Sequence, residues 1–411
     1  MPDTSGQWTA LDSQNERLVD PASPATEVRP MTEEPTEAPP SATRQGRHRH
    51  RAVAAASAAL LAVAGLATAR PAASAAAAGS GMATSRSWQT VLAGPKASDD
   101  PAFTAIAATG TQHAWAFESP GDGSSAPVAW HLTPVAGWHQ VTFPGVAGET
   151  VRAAGGSSAR NVWAFTQDGL QSEAFRWNGT SWAADGSFSG DIGNTVVLSS
   201  RNVWAFGAPG SGLGARHFNG TSWKSVSSGH SLNSGSALSA HSIWAVGGKK
   251  VAHWNGHRWS RTSVASIIPP NTEFCDPTVS AIYARSSHSV YAVGLGNCQD
   301  EIGPGFLLHY NGQHWRRLAR HSTFGAPVGV APDGRHGLWI PTFGPPGSPV
   351  HMVHYSNGQR RNAQMPVGAR RLGLLGIAAV GQTKTSFAVG STFKRSMPSV
   401  DQAPRVFEFK R

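Results

Sequence analysis

The stretch Ile243-Trp244-Ala245-Val246-Gly247-Gly248, continued by His253-Trp254-Asn255-Gly256-His257-Arg258-Trp259, decides how the chain is read. An aromatic strand phrase leads into a second apolar run, an Asn-Gly pair and a Trp strand. Asn-Gly between alternating apolar runs signals a hairpin, because both residues tolerate the positive φ of a type I′ turn. The first phrase recurs as Val162-Trp163-Ala164-Phe165, Val203-Trp204-Ala205-Phe206-Gly207 and Val290-Tyr291-Ala292-Val293-Gly294. Weaker copies are Ala114-Trp115-Ala116-Phe117, Leu338-Trp339-Ile340 and Phe387-Ala388-Val389-Gly390. The aromatic positions 115, 163, 204, 244, 291, 339 and 387 are 48, 41, 40, 47, 48 and 48 residues apart. Seven copies at that period predict the blades of a propeller.

The second phrase also returns, as Trp177-Asn178-Gly179-Thr180-Ser181-Trp182, Phe218-Asn219-Gly220-Thr221-Ser222-Trp223 and Tyr310-Asn311-Gly312-Gln313-His314-Trp315. The stretch before each aromatic phrase, such as Thr195 to Ser199 or Val279 to Ala284, supplies a further strand, giving four per unit. The seventh unit ends in Val406-Phe407-Glu408-Phe409, where an Asn-Gly turn and Trp strand are due. Ser85-Arg86-Ser87-Trp88 has no unit before it and matches Thr221-Ser222-Trp223 with its flanks. The expected fold is therefore all-β: a seven-bladed β-propeller of four-stranded antiparallel blades, closed by the strand near Trp88 pairing with the C-terminal blade. Closure removes the open sheet edges that invite aggregation.

These phrases resemble the repeats of kelch and galactose-oxidase-like propellers, in which an apolar strand, glycines, an aromatic, a turn and a Trp follow one another. The resemblance covers residues 85 to 411, and the copy at Ile243 to Trp259 carries it best, being the one with the double glycine. It is also similar to secreted propellers of soil bacteria. The resemblance implies a propeller, but a galactose-oxidase copper site would need Tyr and His converging at the axis. Tyr283, Tyr291, Tyr310 and Tyr355 all occupy repeat positions, so no copper site is carried over and no cofactor is expected.

Charged residues make up only 14% of the 411, while 46 Gly, 28 Pro and 15 Trp are present, which excludes a coiled coil or a mainly helical chain. Residues 1–43 are rich in Pro, Glu, Ser and Thr without periodicity and are expected to be disordered. Residues 44–78 hold a basic flank (Arg44 to Arg51), an uncharged Ala-rich run over 52–69 and a small-residue stretch. That pattern is a signal peptide or, if uncleaved, a signal anchor whose run 52–69 is the sole membrane contact. The propeller domain is then 79–411, outside the cytoplasm, secreted or held at the extracellular face of a bacterial membrane. The first 78 residues carry 7 basic and 8 acidic side chains, which leaves 27 and 16 in the propeller, or about +11. This charge is dispersed rather than striped and does not point to nucleic acid.

His217, His253, His309 and His354 recur at one place in successive units, with His131 near it and Arg176 in the slot of the second. Equivalent positions on diverging blades lie too far apart for the roughly 2.0 to 2.1 Å bonds of one zinc ion, so no metal site is expected. The carboxylates are scattered over loops, and no Gly-x-Ser-x-Gly elbow, phosphate loop or sialidase-type turn appears; Asp333-Gly334-Arg335-His336-Gly337 breaks the spacing of the last. No catalytic residue is assigned. The tryptophans sit at repeat positions and are expected to pack blades. Cys275 and Cys298 flank the hairpin of Val279 to Ala284 and Ser289 to Gly294, and in its register they face each other, so a disulfide is expected.

Loops between second and third strands share one face with the connections between blades. The irregular segments there (118–127, 267–277, 296–305, 343–349 and 392–404) nominate that face for ligand binding, with Asp276, Asp300, Glu301, Lys394, Arg395 and Asp401 as candidate contacts. The function this implies is a monomeric, non-catalytic binding module at the cell surface for an extracellular glycan, cell-wall polymer or protein. The alternative is a carbohydrate-active enzyme, hydrolase or lyase, using the same face.

Overall fold

Each aromatic phrase becomes the second strand of a four-stranded antiparallel sheet, and seven such sheets form a propeller in the computed structural model. The structure describes residues 87–410 except 95–100, 120–124, 170, 299–301, 319–323, 345–348, 382 and 397–398. The tail 1–43, the export segment 44–78 and its run 52–69 lie outside the described residues.

Blade 1 shows the plan, with Ala102–Gly110 innermost, then His113–Ser119, Val128–Thr133 and Gly137–Val141. The other innermost strands are Thr150–Ser158, Ile192–Ser199, Ser234–Ser239, Thr278–Ser286 and, in blade 7, Leu372–Ala379. Blade 6 differs: its inner edge is two short pieces, Ala326–Pro327 and Ala331–Pro332, both paired with Leu338–Phe343. Proline has no N–H to give a ladder and is tolerated at such an edge. Burial falls outward within a blade. Ser242–Gly247 is buried from its second residue on, whereas Trp259–Ser263 buries only its Trp.

The ring closes as the sequence predicts. Trp88–Ala93 pairs antiparallel with the last strand, Ser399–Phe409, with Trp88 opposite Phe409 and Gln89 opposite Glu408.

Packing between blades explains why the two phrases recur together. The aromatic of one blade nests against the two aromatics that flank the Asn-Gly turn of the next. Trp244 lies 5.1 Å from Tyr310 and 6.1 Å from Trp315 by ring centroids, Trp204 lies 5.2 Å from Trp254 and 5.7 Å from Trp259, and Trp163 lies 5.1 Å from Phe218. Such tilted and edge-on pairs are the preferred aromatic geometries. The apolar clusters accordingly fall between neighbouring blades, for example one joining Trp244 and Val246 to Ile282 and Leu308.

Two details differ from expectation. The Asn-Gly turns of blades 2 to 5 are four-residue loops, because Phe218 pairs with Trp223 and Trp254 with Trp259. Only their glycines take positive φ, as at Gly220 (φ 99). Each Asn acts through its side chain instead: Asn219 Oδ1 accepts from the N–H groups of Thr221 and Ser222, both at 3.0 Å. This is an Asx-turn, with the amide oxygen replacing a backbone acceptor. The two-residue type I′ geometry occurs at Asn357-Gly358 (φ 51 and 75), between the paired Ser356 and Gln359.

The second difference concerns the segments read as long loops. Residues 392–404 are largely ladder, with Ser386–Ser396 paired to Ser399–Phe409 along their whole length. Most of 296–305 is ladder too, as Asn297 pairs with Ile302. Extending a paired hairpin satisfies the inward-facing backbone donors that a bare loop would leave to solvent.

Candidate ligand-binding site at the ring axis

The recurring histidines are accounted for first. In every blade the residue across the ladder from the aromatic is polar, and in blades 1 to 6 it covers the ring. His217 stacks on Trp204 at 4.4 Å and His253 on Trp244 at 4.3 Å, while His309 covers Tyr291 and His131 covers Trp115. Arg176 lies over Trp163 in blade 2, its guanidinium carbon 5.6 Å from the ring centre. A residue two before the aromatic anchors the imidazole: Asn202 Oδ1 accepts from His217 Nε2 and from Trp204 Nε1, both at 3.0 Å. Ser242 and Ser289 hold His253 and His309 in the same way. Burial pushes these imidazoles below their usual pKa, with neighbouring cations adding to the effect at His309.

Blade 6 breaks the pattern. The anchoring slot holds Gly337, and Asp333 reaches in from the turn between the first and second strands. Its Oδ2 lies 2.9 Å from His354 Nε2, and its Oδ1 accepts from the N–H groups of Arg335 and Gly337 at 2.8 Å each. Burial alone would raise this carboxyl, but His354 and the two N–H groups hold it well below the usual range. The turn has five residues because Pro332 pairs with Leu338, whereas Ser286 pairs with Ser289 in blade 5.

The innermost strands of all seven blades surround a cavity of about 560 Å³ at the ring axis. Its wall carries hydroxyls and amides, among them Thr104, Asn194, Thr195, Ser236 and Ser280. Inner strands run from the loop face to the face of the tight turns, so position along a strand gives depth. Arg152, near the start of its strand, marks the loop-side mouth, with its Nε 3.8 Å from Asp191 Oδ2. Burial raises the Asp191 carboxyl and Arg152 partly offsets the shift. At the other mouth, Tyr283, Pro332 and Gly381 also line a second cavity of about 240 Å³, completed by Arg285 and the turn Asp333 to Gly337.

Of the sequence-nominated contacts, Asp276 lines neither cavity. Asp276 is exposed on its loop and pairs with Lys249 at 2.5 Å, and Lys249 also donates to Asn271 Oδ1 at 2.6 Å. Asp300 and Glu301 lie outside the described residues. Lys394 stands opposite Asp401 in the last hairpin and Arg395 opposite Val400, so they belong to strands and not to an irregular loop. The disulfide Cys275–Cys298 is formed, in the ladder register inferred from sequence, and ties the blade 5 loops together. Sequence reasoning missed Arg152, Arg285 and Arg335. The legible signal was the Asp333 to Gly337 insertion in an otherwise regular repeat.

No family model and no curated protein matches the chain. Among solved structures it is similar to the WD40 domain of coronin from Toxoplasma gondii, at 11% identity over 79% of this chain and 87% of that one, with a TM-score of 0.44. It is similar to PorZ, a surface component of the type-IX secretion system of Porphyromonas gingivalis, at 11% identity over 76% of this chain and 39% of that one, TM-score 0.44. A protein from Lactobacillus plantarum is similar at 12% identity over 65% of this chain and 86% of that one, TM-score 0.44.

Proposed function

We propose that the chain is an exported, kelch-like propeller that serves as a non-catalytic binding module at the cell surface, taking an extracellular glycan, cell-wall polymer or protein at the ring axis. One observation carries the reading: a cavity of about 560 Å³ whose wall sets hydroxyls and amides among small apolar side chains, with Arg152 at one mouth and Arg285 and Arg335 beside the other. A rigid ring with hydrogen-bonding groups converging on its axis suits recognition of a polar ligand. The disulfide fits an oxidising compartment, and the about +11 balance of the propeller favours anionic surfaces. The module acts as a monomer without a cofactor.

The test is binding of the full chain to an array of glycans and cell-wall polymers at low and high salt, with released sugars assayed. Salt-resistant binding without product is the expected outcome. Binding that vanishes with salt would reduce the effect to net charge, and product would promote the enzyme.

One observation favours that second reading. In blade 2, Glu149 Oε1 accepts from Thr166 at 3.0 Å, and Thr166 stands opposite Glu173 in the ladder. Burial raises the Glu173 carboxyl, and the charge of Glu149 raises it further. A carboxyl raised beside a second one is the kind of group that can serve as a general acid. If sugars are released, Glu173→Gln abolishes the release on this reading, and unchanged release removes it.

A further inference from the structure

We infer that the cavity between the long turns of blades 6 and 7 binds a carboxylate, and that its ligand is a sugar acid, free or at the end of an acidic polysaccharide. The inference deepens the binding-module reading and rests on it. Arg285 is half-buried at the wall of this cavity, and among the described residues no carboxylate pairs with it. Taking a guanidinium partly out of water without a counter-charge is costly, so its place has to be secured by other groups. Neutral groups do so here. Its Nη2 donates to the carbonyl of His336 at 2.6 Å and of Gly337 at 3.4 Å, its Nη1 donates to the Tyr291 hydroxyl at 3.5 Å, and its carbon lies 5.1 Å from that ring's centre. Burial raises the Tyr283 hydroxyl and the charge of Arg285 partly offsets the shift, and Tyr283 lines both cavities.

The turn that positions Arg285 is itself braced. Asp333 fixes it through Arg335, Gly337 and His354, so the one carboxylate lining the small cavity is already engaged on its far side. Gly334 (φ 73) lies against the blade 7 turn, where a Cβ would come within 2.0 Å of the Thr383 carbonyl oxygen. Two long turns meet there beside this cavity of about 240 Å³, whereas the turns of blades 1 to 5 have two residues each. Arg335 and His336 stand exposed at the rim.

A carboxylate can take a charge-assisted hydrogen bond from an Arg285 N–H that these contacts leave over, and Arg335 adds a second cation at the rim. The small cavity shares Tyr283, Pro332 and Gly381 with the axial cavity, whose wall sets hydroxyl and amide side chains among small apolar ones. A ligand anchored by its carboxylate at Arg285 therefore extends along a surface that hydrogen-bonds hydroxyls. This mixture favours a sugar acid, whose hydroxyls match the polar side chains and whose ring faces match the small apolar ones, over a peptide carboxyl terminus.

Calorimetric titration of the full chain tests the assignment. The probes are glucuronate, its uncharged methyl ester, a trigalacturonate and an acetylated tripeptide with a free carboxyl terminus. Glucuronate and trigalacturonate should bind, and the ester should lose at least tenfold in affinity. Arg285→Gln and Arg335→Gln should each weaken glucuronate about tenfold or more, whereas Arg258→Gln, a charge-matched change on the outer turn of blade 4, should not. Tighter trigalacturonate than glucuronate would identify a polymer end, and equal affinity a free sugar acid. Tripeptide binding that equals or exceeds glucuronate would overturn the sugar assignment. Arg335 is exposed, so its variant reads the site even if Arg285→Gln lowers the melting temperature. Array binding that survives both substitutions would overturn this pocket and leave the module standing, while no binding to any polymer together with glucuronate binding would do the reverse.

Discussion

Trp88 meets Trp339 edge-on, with ring centroids 5.4 Å apart and planes at 75°. Trp339 also packs on Phe409 at 4.8 Å, so the N-terminal strand fills for blade 7 the place that the Trp after the Asn-Gly turn fills elsewhere. Trp88→Ala is therefore expected to destabilise the ring by about 3 to 5 kcal/mol, the usual cost of removing a fully buried Trp. Urea unfolding would read this as a lower midpoint, and Trp88→Phe should recover much of the loss. A cost under about 1 kcal/mol would mean that the first strand does not close the ring.

The glycine ending the aromatic phrase has a steric reason. A Cβ at Gly247 would lie 1.9 Å from the carbonyl oxygen of Ser231, at Gly294 2.2 Å from that of Thr278, and at Gly390 1.9 Å from that of Gly373. The obstacle is backbone and cannot swing away, so Gly247→Ala should cost about 3 kcal/mol. Its neighbour Gly248 has nothing within 4 Å and needs only positive φ (57), so Gly248→Ala should cost about 1 kcal/mol. Equal thermal shifts for the two variants would contradict this account.

The disulfide closes a loop spanning 23 positions. Loop-closure entropy puts its contribution at about 3 kcal/mol, so Cys275→Ser with Cys298→Ser should lower the melting temperature by several degrees. Wild-type protein in reductant should show the same shift, and the double variant should not respond to reductant. A wild type indifferent to reductant would show the bond to be dispensable for stability.

His131 gives a pH dependence with a definite sign. Burial, then His139 and His113, lower its pKa to about 4, while it stacks on Trp115 at 4.0 Å. The unfolded chain takes up this proton near the ordinary value of 6.5, so the contribution of the neutral imidazole is complete above that pH. It is lost as pH falls from about 6.5 toward 4 and stays constant below. Between pH 7 and 5 the wild type should lose more unfolding free energy than His131→Gln does. Parallel curves would mean that the imidazole titrates normally in the folded protein.

Much of this architecture could be read along the chain. The aromatic period set the number of blades, the missing Trp at one end and the spare Trp88 at the other set the closure, and the ladder register set the disulfide. All three depend on repetition or on local pairing, which a linear pattern preserves. Turn geometry was less legible. Asn219-Gly220 and Asn357-Gly358 share a dipeptide, but pairing on either side makes the first a four-residue Asx loop and the second a two-residue type I′ turn. Asp276 was selected as a loop charge, yet it ends in an exposed pair with Lys249.

By itself, then, the sequence determined an all-β ring, its seven units, its seam and its cross-link, because each follows from periodicity and from residues near one another in a ladder. The tertiary structure decided which groups line the cavities. Arg285 of blade 5, the Asp333 turn of blade 6 and Gly381 of blade 7 come together only when the ring closes. Nothing in the chain order brings a half-buried guanidinium to carbonyls 51 and 52 residues away. The closure that buries the blade interfaces also converges the inner strands, and their polar groups, on one axis.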